Sequence, residues 1–214
     1  FPTQEYHVPT ESELKEALAK VDASQVVIDG DQVSLGTNQE MDLGGIAKGY
    51  TSARVMEIFR EYGITSGMVS LGGNVQTLNT RPDGKPWQIG IQNPNGQQGS
   101  LLAVLSVENK AIITSGGYER YFEEDGNTYI HILNPKTGYP ADSGLVSVSV
   151  ISENGMLADA LSTSLYLMGE EQAVGYWRTH ADEFDMILET EDGTLYVTEG
   201  ISQEIQTDNT TIVL

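Results

Sequence analysis

The sequence predicts an α+β fold, a twisted and largely antiparallel sheet with packed helices. Short apolar runs of strand length fill the middle of the chain, stretches of helical period interrupt them, and strands and helices do not alternate regularly. The chain has 214 residues, of which 39% are hydrophobic, with 23 glycines and 7 prolines. This length and composition suit a single folded domain over residues 1–214.

The N-terminal part predicts a helix followed by a hairpin. Thr10 and Glu13 have the spacing of a capping box, and apolar side chains at positions 14, 17, 18 and 21 recur on one helical face. The apolar residues 26–28 and the alternating apolar residues Val33 and Leu35 then flank Asp29-Gly30-Asp31. Because Asp-Gly tolerates the positive φ of tight turns, these runs predict a short hairpin.

A second helix is predicted from Ile46 to Tyr62, with Gly63 as its end. Its predicted buried stripe consists of Ile46, Tyr50, Ala53 and Phe59. Residues 41–45, Met-Asp-Leu-Gly-Gly, join this helix to the preceding hairpin.

The middle of the chain predicts strands separated by turns rich in Gly, Pro and Asn. The predicted strands are residues 68–71, 87–91, 101–107, 111–114 and 129–133. We expect them to form one twisted sheet. Residues 145–151 alternate valine with serine, which predicts a further strand with one buried face.

The C-terminal part predicts two helices and a hairpin. The helices are expected over residues 156–168, ending at Gly169, and over residues 170–180. The hairpin is expected from strands at residues 186–190 and 194–198, which turn at Glu191-Asp192-Gly193.

The charge balance excludes several classes of function. The chain carries 31 acidic and 11 basic side chains, a formal net charge of -20, and no cysteine. A protein this acidic repels phosphate backbones, so a nucleic-acid partner is not expected, and a phosphate ligand needs a local cation. The lack of cysteine excludes disulfides, thiolate metal sites and a cysteine nucleophile.

Residues 42–50, Asp-Leu-Gly-Gly-Ile-Ala-Lys-Gly-Tyr, offer one candidate anion site. Amide groups at the start of a helix attract anions, glycines let a ligand come close, and Lys48 supplies a cation. The alternative is a tight turn with a solvated Lys48, because short glycine motifs recur by chance.

Asp159 and Thr163 offer a candidate metal site. They are four residues apart, so they share one helix face, and their oxygens are the hard ligands that Mg²⁺ prefers. The alternative is structural: Asp159 complements the helix dipole and Thr163 bonds back to its own helix.

His131 is a candidate general base, because it lies near the end of the predicted strand 129–133, shortly before a Pro-Lys-Thr-Gly turn, and because histidine as a residue type suits proton transfer near neutral pH. A structural histidine is the alternative. Residues 114–118 and 71–74 offer hydroxyl and amide groups at two other strand ends. A hydrolase triad of Ser115, His131 and Asp159 is disfavoured, because the chain lacks a Gly-x-Ser-x-Gly elbow.

Six ordered segments together resemble the ApbE family of FAD:protein FMN transferases. They are residues 41–50 (MDLGGIAKGY), 70–74 (SLGGN), 86–91 (PWQIGI), 114–118 (TSGGY), 131–140 (HILNPKTGYP) and 158–163 (ADALST). The resemblance covers most of the chain from about Thr10 to Thr198. It implies an ApbE-like fold and a Mg²⁺-dependent transfer of the FMN part of FAD onto a Thr or Ser hydroxyl of a partner protein, with release of AMP.

The resemblance also implies roles for individual residues. The implied magnesium ligands are the carbonyl of Gly45, the side chains of Asp159 and Thr163, and a group of Ser162. The implied contacts to the flavin nucleotide are Asp42, Lys48, Ser115 and Leu133. His131 matches the proposed catalytic histidine of the family.

Family members usually carry a further N-terminal segment, so the resemblance implies that part of the FAD site lies outside residues 1–214. It also implies an extracytoplasmic protein, anchored to a membrane through an N-terminal lipoprotein segment. Two other functions stay open for this chain. One is an FAD-binding scaffold without transfer, and the other is an FAD pyrophosphatase that yields FMN and AMP.

Overall fold

The structure is a computed structural model that describes residues 6–97 and 99–214. Contacts divide the chain into two compact units. The first unit comprises Phe1–Leu43 and Arg120–Ala141, and the second comprises Gly44–Glu119 and Asp142–Leu214. The single domain expected over residues 1–214 stays a prediction.

Helices and strands alternate irregularly along the described residues. The helices are α1 (Glu11–Leu18), α2 (Ala47–Glu61) and α3 (Gly155–Arg178), and short 3-10 turns occur at Ala23–Gln25 and Glu199–Ile201. The strands are β1 (Val27–Asp29), β2 (Gln32–Ser34), β3 (Gly67–Leu71), β4 (Asn74–Leu78), β5 (Trp87–Gln92), β6 (Leu101–Val107), β7 (Ala111–Gly116), β8 (Tyr121–Glu124), β9 (Asn127–Ile130), β10 (Leu145–Ser152), β11 (Asp185–Thr190), β12 (Leu195–Val197), β13 (Ile205–Gln206) and β14 (Thr211–Val213). This combination of helices and mostly antiparallel strands confirms the predicted α+β class.

The first unit contains α1 and two hairpins, β1–β2 and β8–β9. The predicted capping box is present: the Thr10 amide donates to Glu13 Oε2 at 2.8 Å, and the Glu13 amide donates to Thr10 Oγ1 at 3.4 Å. The β1–β2 hairpin is confirmed too, with Gly30 at φ +58° in its turn. The helix ends at Leu18, however, so Val21 lies outside it and is exposed.

The second unit is built on a seven-stranded sheet in the order β14-β12-β11-β10-β7-β4-β3, in which only β12 and β14 pair in parallel. The strands β13, β6 and β5 form a separate three-stranded sheet. The prediction of one sheet was therefore wrong. Apolar side chains of the two sheets form one buried cluster that includes Ile112, Ile151 and Ile187 of the large sheet and Leu105 of the small one. Two sheets that pack face to face remove these apolar side chains from water, which stabilises the two-sheet arrangement.

Strand β10 lies between β7 and β11, and both of its faces are buried. The prediction of one buried face was wrong because serine hydroxyls tolerate burial when they find partners. The Ser147 hydroxyl donates to Glu189 Oε2 at 2.8 Å, and the Ser149 hydroxyl lies 2.7 Å from that of Thr114.

Helix α2 spans the predicted residues but buries a different face. Its buried residues are Gly49, Ser52 and Met56, whereas Tyr50 of the predicted stripe is 60% exposed. Small residues are buried here because α2 approaches α3 closely: a Cβ on Gly49 would collide with Gly155 and Asp159 of α3. Helix α3 is interrupted at Gly169, which has φ +75° and ψ 172°, as expected for the predicted end of a helix. The hairpin of β11 and β12 is also confirmed.

Within the described residues, no helix is both long enough and apolar enough to cross a membrane.

The glycines at positions 72 and 73, which connect β3 to β4, have φ values of +58° and +91°. Side chains other than glycine rarely adopt such values, so the tight connection depends on this Gly-Gly pair.

Glu189 of β11 makes the stability of the second unit depend on pH. This residue is 2% exposed, and its burial raises the pKa of the carboxyl. The hydrogen bond from Ser147 lowers the pKa, but by less. A raised pKa favours the protonated form in the folded protein. The resulting stabilisation is complete below the unfolded pKa of about 4.3 and is lost as the pH rises through the higher folded value.

We therefore expect Glu189→Gln to unfold with a weaker pH dependence than the wild type. Chemical denaturation of both proteins at several pH values between about 4 and about 8 measures this, since Glu189 titrates above its ordinary pKa of about 4.3. The stability of the variant relative to the wild type should rise with pH. A relative stability that falls with pH would show that the folded protein instead favours the Glu189 carboxylate.

Candidate functional site

The second unit holds a buried carboxylate where α2 and α3 meet. Asp159 of α3 is 4% exposed, and its Oδ2 accepts a hydrogen bond of 2.7 Å from the Gly49 amide of α2. Burial raises the pKa of Asp159, against the Gly49 amide and the charge and amide of Lys48, which lower it. Asp159 is thus a carboxylate that is costly to ionise without a further positive partner.

Close packing of glycines creates this arrangement. A Cβ on Gly49 would lie 2.5 Å from the Cβ of Asp159 and would collide with the carbonyl oxygen of Gly155. A Cβ on Gly155 would collide with the side chain of Gln76. The lack of side chains at both positions lets the start of α2 approach the first turn of α3, which brings the Gly49 amide to Asp159.

Asp159 also serves as a cap for α2. The residue at the cap position, Ile46, makes no side-chain hydrogen bond to the helix. The carboxylate from α3 instead accepts a hydrogen bond from the Gly49 amide in the first turn, and the nearby amide of Lys48 also lowers the pKa of that carboxylate. The positive charge of the half-buried Lys48 and the start of α2 therefore both act on the Asp159 carboxylate.

Gly45 precedes this helix start and is exposed. A Cβ at this position would have no other atom within 4 Å, apart from its own chain neighbours. A ligand can therefore approach the backbone of Gly45.

Three hydroxyls connect β7 to α3. Ser115 Oγ of β7 lies 2.8 Å from Ser162 Oγ and 3.0 Å from Thr163 Oγ1 of α3, and Ser162 Oγ donates to the Asp159 carbonyl at 2.9 Å. A carbonyl only accepts and each hydroxyl has one hydrogen. Ser115 must therefore donate to Ser162, and Thr163 must donate to Ser115.

This donor order has a chemical consequence. The Thr163 hydroxyl keeps its lone pairs available for a cation, whereas the Ser162 side chain is fully buried and connects the helix to the strand. Thr163 is the better placed of the two side chains to act as a metal ligand.

The first unit contains three of the predicted site residues, Asp42, His131 and Leu133. His131 directly follows β9 and is exposed, and its Nδ1 lies 3.1 Å from the carbonyl oxygen of Arg120. Because a carbonyl only accepts, Nδ1 must carry a hydrogen, so in the neutral ring the lone pair is on Nε2. Leu133 is 52% exposed and forms an isolated antiparallel β-bridge with Pro140. Asp42 is exposed and lies one residue before Leu43, where the first segment of this unit ends.

The donors of the second unit fit a hard cation. The Asp159 carboxylate, the Thr163 hydroxyl and the Gly45 carbonyl are all oxygen ligands, and Mg²⁺ is usually held by one or two carboxylates, with water or phosphate completing its shell. The described residues contain no group of three or more His, Asp or Glu side chains arranged around a common metal position. Of these three donors, the Asp159 carboxylate is therefore the anionic ligand.

Several residues around Asp159 escaped the sequence analysis. Gly49 was counted only as part of a glycine motif, and Ser52 and Gln76, whose side chains are 2.8 Å apart, were not considered. Asn74 was noted only as the end of a glycine turn, yet it is 1% exposed. These residues could have been found from the sequence only as small or polar residues at positions where a helix or strand is expected to pack on its neighbours.

Comparisons with known proteins identify the family of the chain. Residues 1–188 match the sequence profile described as the ApbE family. The chain is 36% identical over 180 residues to "FAD:protein FMN transferase" of Klebsiella pneumoniae (strain 342), which covers 83% of this chain and 55% of that protein. It is 36% identical over 187 residues to the Vibrio cholerae protein of the same name, which covers 87% and 56%.

Solved structures show the same fold. The ApbE protein of Thermotoga maritima is 34% identical with a TM-score of 0.84, over 92% of this chain and 64% of that one. The flavin transferase ApbE of Vibrio cholerae is 31% identical with a TM-score of 0.82, over 94% and 65%. The chain thus spans a little over half the length of the curated relatives above. By sequence and by fold, the chain belongs to the ApbE family.

Proposed function

We propose that the chain carries the metal and pyrophosphate part of a Mg²⁺-dependent flavin transferase. The reaction moves the FMN part of FAD onto a Thr or Ser hydroxyl of a partner protein and releases AMP. The observation that carries this proposal is the buried Asp159, whose pKa is raised by burial and which lies beside Lys48 and the first-turn amides of α2. The names of the relatives, FAD:protein FMN transferase, support the same reaction.

The proposed reaction is a phosphoryl transfer. The acceptor hydroxyl oxygen bonds to the phosphorus of the FMN phosphate, and the bond from that phosphorus to the bridging oxygen breaks. AMP departs with the bridging oxygen, and the hydroxyl proton goes to a base. Bound Mg²⁺ would neutralise charge on the pyrophosphate oxygens.

The residues of the chain have separate tasks in this proposal. Asp159, Thr163 and the Gly45 carbonyl would hold the ion, with a group of Ser162 as the remaining predicted ligand. Lys48 would offset negative charge on the pyrophosphate, and the amides at the start of α2 favour the same anion. Asp42, Ser115 and Leu133 are the proposed flavin-nucleotide contacts, and His131 is the proposed base.

The product mixture tests this function. The protein is incubated with FAD, with or without MgCl₂ and with a candidate acceptor protein, and AMP, FMN and flavin-modified Thr or Ser are quantified by chromatography and mass spectrometry. AMP with a flavinylated acceptor supports transfer. AMP with free FMN in the presence of acceptor would contradict transfer and identify the protein as a pyrophosphatase. Mg²⁺-dependent FAD binding without AMP release would contradict transfer and identify it as an FAD-binding scaffold.

His131 should affect the rate more than the affinity. We expect His131→Ala to lower the rate of AMP release by about 100-fold or more, because the variant loses the proposed base, while the Kd for FAD changes little. Steady-state kinetics and calorimetry measure the two effects. His180→Ala is the matched control, because His180 stacks on Tyr176 at 4.1 Å near the end of α3 and has no proposed role. Equal losses of rate and affinity in His131→Ala would assign it to binding instead.

A further inference from the structure

Asn74 is an unexplained buried amide at the start of β4. The residue is 1% exposed, and neither Nδ2 nor Oδ1 has a hydrogen-bond partner. Among the described residues, the other buried side-chain atoms without a partner are single hydroxyls, those of Ser100 and Ser143. A buried polar atom without a hydrogen-bond partner destabilises the folded protein, and Asn74 has two such atoms. Such a group in a folded protein calls for a specific explanation.

The neighbours of Asn74 on its strand define the face on which it lies. Gln76 is two residues further along β4, and its Oε1 accepts a 2.8 Å hydrogen bond from Ser52 of α2. Gln76 also lies against Gly155, the first residue of α3. Because side chains two apart on a strand share a face, Asn74 also lies on the face covered by α2 and α3.

The neighbouring strand places Asn74 along α3. Val75 pairs with Ile112 of β7 and Gln76 with Ala111, so this antiparallel register puts Asn74 at the level of Ile113. Two residues further along β7, on the same face, Ser115 contacts Ser162 of α3. Asn74 therefore lies between the point where the sheet meets Gly155 and the point where it meets Ser162.

Asp159 lies between the same two points on the helix. Gly155, Asp159 and Ser162 have i, i+4 and i+7 spacing, so they lie along one face of α3. That face is turned to the sheet, since Gly155 meets Gln76 and Ser162 meets Ser115. The amide of Asn74 and the carboxylate of Asp159 thus belong to one polar layer between the sheet and the start of α2.

We propose that Asn74 is a further ligand-binding residue of the Asp159 site and holds the hydrated Mg²⁺–diphosphate group of the substrate. Mg²⁺ keeps several of its waters when bound to proteins. The Asn74 Oδ1 would accept a hydrogen bond from one of these waters, and Nδ2 would donate to a diphosphate oxygen. Both unpartnered atoms then gain a partner. This inference rests on the proposed function, because it assumes the metal site at Asp159.

Asn74→Leu separates a ligand-binding role from a structural one. Leucine has a similar volume, and the substitution removes no hydrogen bond within the described structure. The protein without metal should therefore melt at the same temperature as the wild type or higher. Its Mg²⁺ affinity should fall about tenfold, the effect of one hydrogen bond to a charged group. Differential scanning calorimetry without metal and titration calorimetry with MgCl₂ alone measure the two quantities.

Asn74→Asp provides a second test if the leucine variant folds poorly. It keeps an oxygen acceptor and loses the Nδ2 donor. We expect it to bind Mg²⁺ alone at least as tightly as the wild type, and to bind FAD in the presence of Mg²⁺ more weakly. Ser143→Ala is the control, because it removes another buried polar atom without a partner, and it should change neither affinity.

The outcomes distinguish this inference from the function on which it rests. Mg²⁺ binding that needs Asp159 but is unchanged in Asn74→Leu would overturn the role of Asn74 alone. A large drop in the melting temperature of metal-free Asn74→Leu, with unchanged metal and FAD affinities in Asn74→Asp, would assign Asn74 to structure. A wild-type protein that binds no Mg²⁺ would overturn the proposed metal site and the role of Asn74 with it.

Discussion

Asp159→Asn should abolish Mg²⁺-dependent FAD binding and with it the release of AMP. Loss of the main anionic ligand should weaken Mg²⁺ binding by at least about 100-fold, since removal of groups that only support a ligand already costs 10- to 100-fold. The asparagine oxygen can still accept the Gly49 amide, so the contact between α2 and α3 should persist. Titration calorimetry of MgCl₂ and of FAD with MgCl₂, on wild type and variant, measures the effect.

The pH dependence of the same protein gives an independent test. Burial raises the pKa of Asp159 above its usual value of 3.8. Without metal, the protonated carboxyl stabilises the fold below that usual value, and the stabilisation is lost as the pH rises through the folded pKa. Mg²⁺ needs the carboxylate, so its affinity should increase over the same pH range, and Asp159→Asn should lose both dependences.

Glu189→Gln is the matched control for Asp159→Asn, because it also replaces a buried carboxylate by its amide. Glu189 is bonded to Ser147 within the sheet and has no proposed role in the site. It should bind Mg²⁺ like the wild type. Asp159→Asn with unchanged Mg²⁺ binding would remove the proposed metal site, whatever the control does.

Local rules predicted the parts of the fold that short segments determine. The capping box of Thr10 and Glu13, the Asp-Gly hairpin and the helix break at Gly169 each depend on a few adjacent residues. These elements follow from the sequence because their hydrogen bonds and φ values are set within one turn of chain.

The errors arose where packing partners decide the outcome. The alternation of valine and serine in β10 predicts one solvated face, but that strand packs against α3 as well as against the apolar cluster between the two sheets, and its serines find buried partners. The apolar residues of α2 suggested a buried stripe that includes Tyr50, yet the helix buries Gly49 and Ser52 instead. Periodicity cannot reveal that two helices meet through glycine, because a glycine carries no hydrophobic signal.

The sequence predicted which side chains of the candidate site carry the chemistry, but not which residues position them. Asp159, Thr163 and Lys48 were selected because carboxylate, hydroxyl and ammonium groups suit Mg²⁺ and phosphate. The roles of Gly49 and Asn74 depend on distances between elements far apart in sequence, such as the 2.7 Å bond between positions 49 and 159. That information appears only when the fold brings the elements together.

Gly49→Ala should damage both stability and the site, because the new methyl group has no room. It would lie 2.5 Å from the Cβ of Asp159 and against the Gly155 carbonyl, and neither the backbone nor a Cβ can rotate away. Alanine gains roughly 0.5–1 kcal/mol over glycine in an open helix position. Overpacking should outweigh this gain and give a net loss of about 2 kcal/mol. Denaturant unfolding measures the change.

Gly175→Ala is the control, since it lies in α3 and a Cβ there meets no atom within 4 Å. It should be as stable as the wild type or more stable. Separation of α2 from α3 also pulls the Gly49 amide from Asp159, so Gly49→Ala should weaken Mg²⁺ binding as well. In the background of Asp159→Asn, the effect of Gly49→Ala on Mg²⁺ should disappear, because the two changes act on one contact. Fully additive effects would mean that Gly49 supports the fold without positioning Asp159.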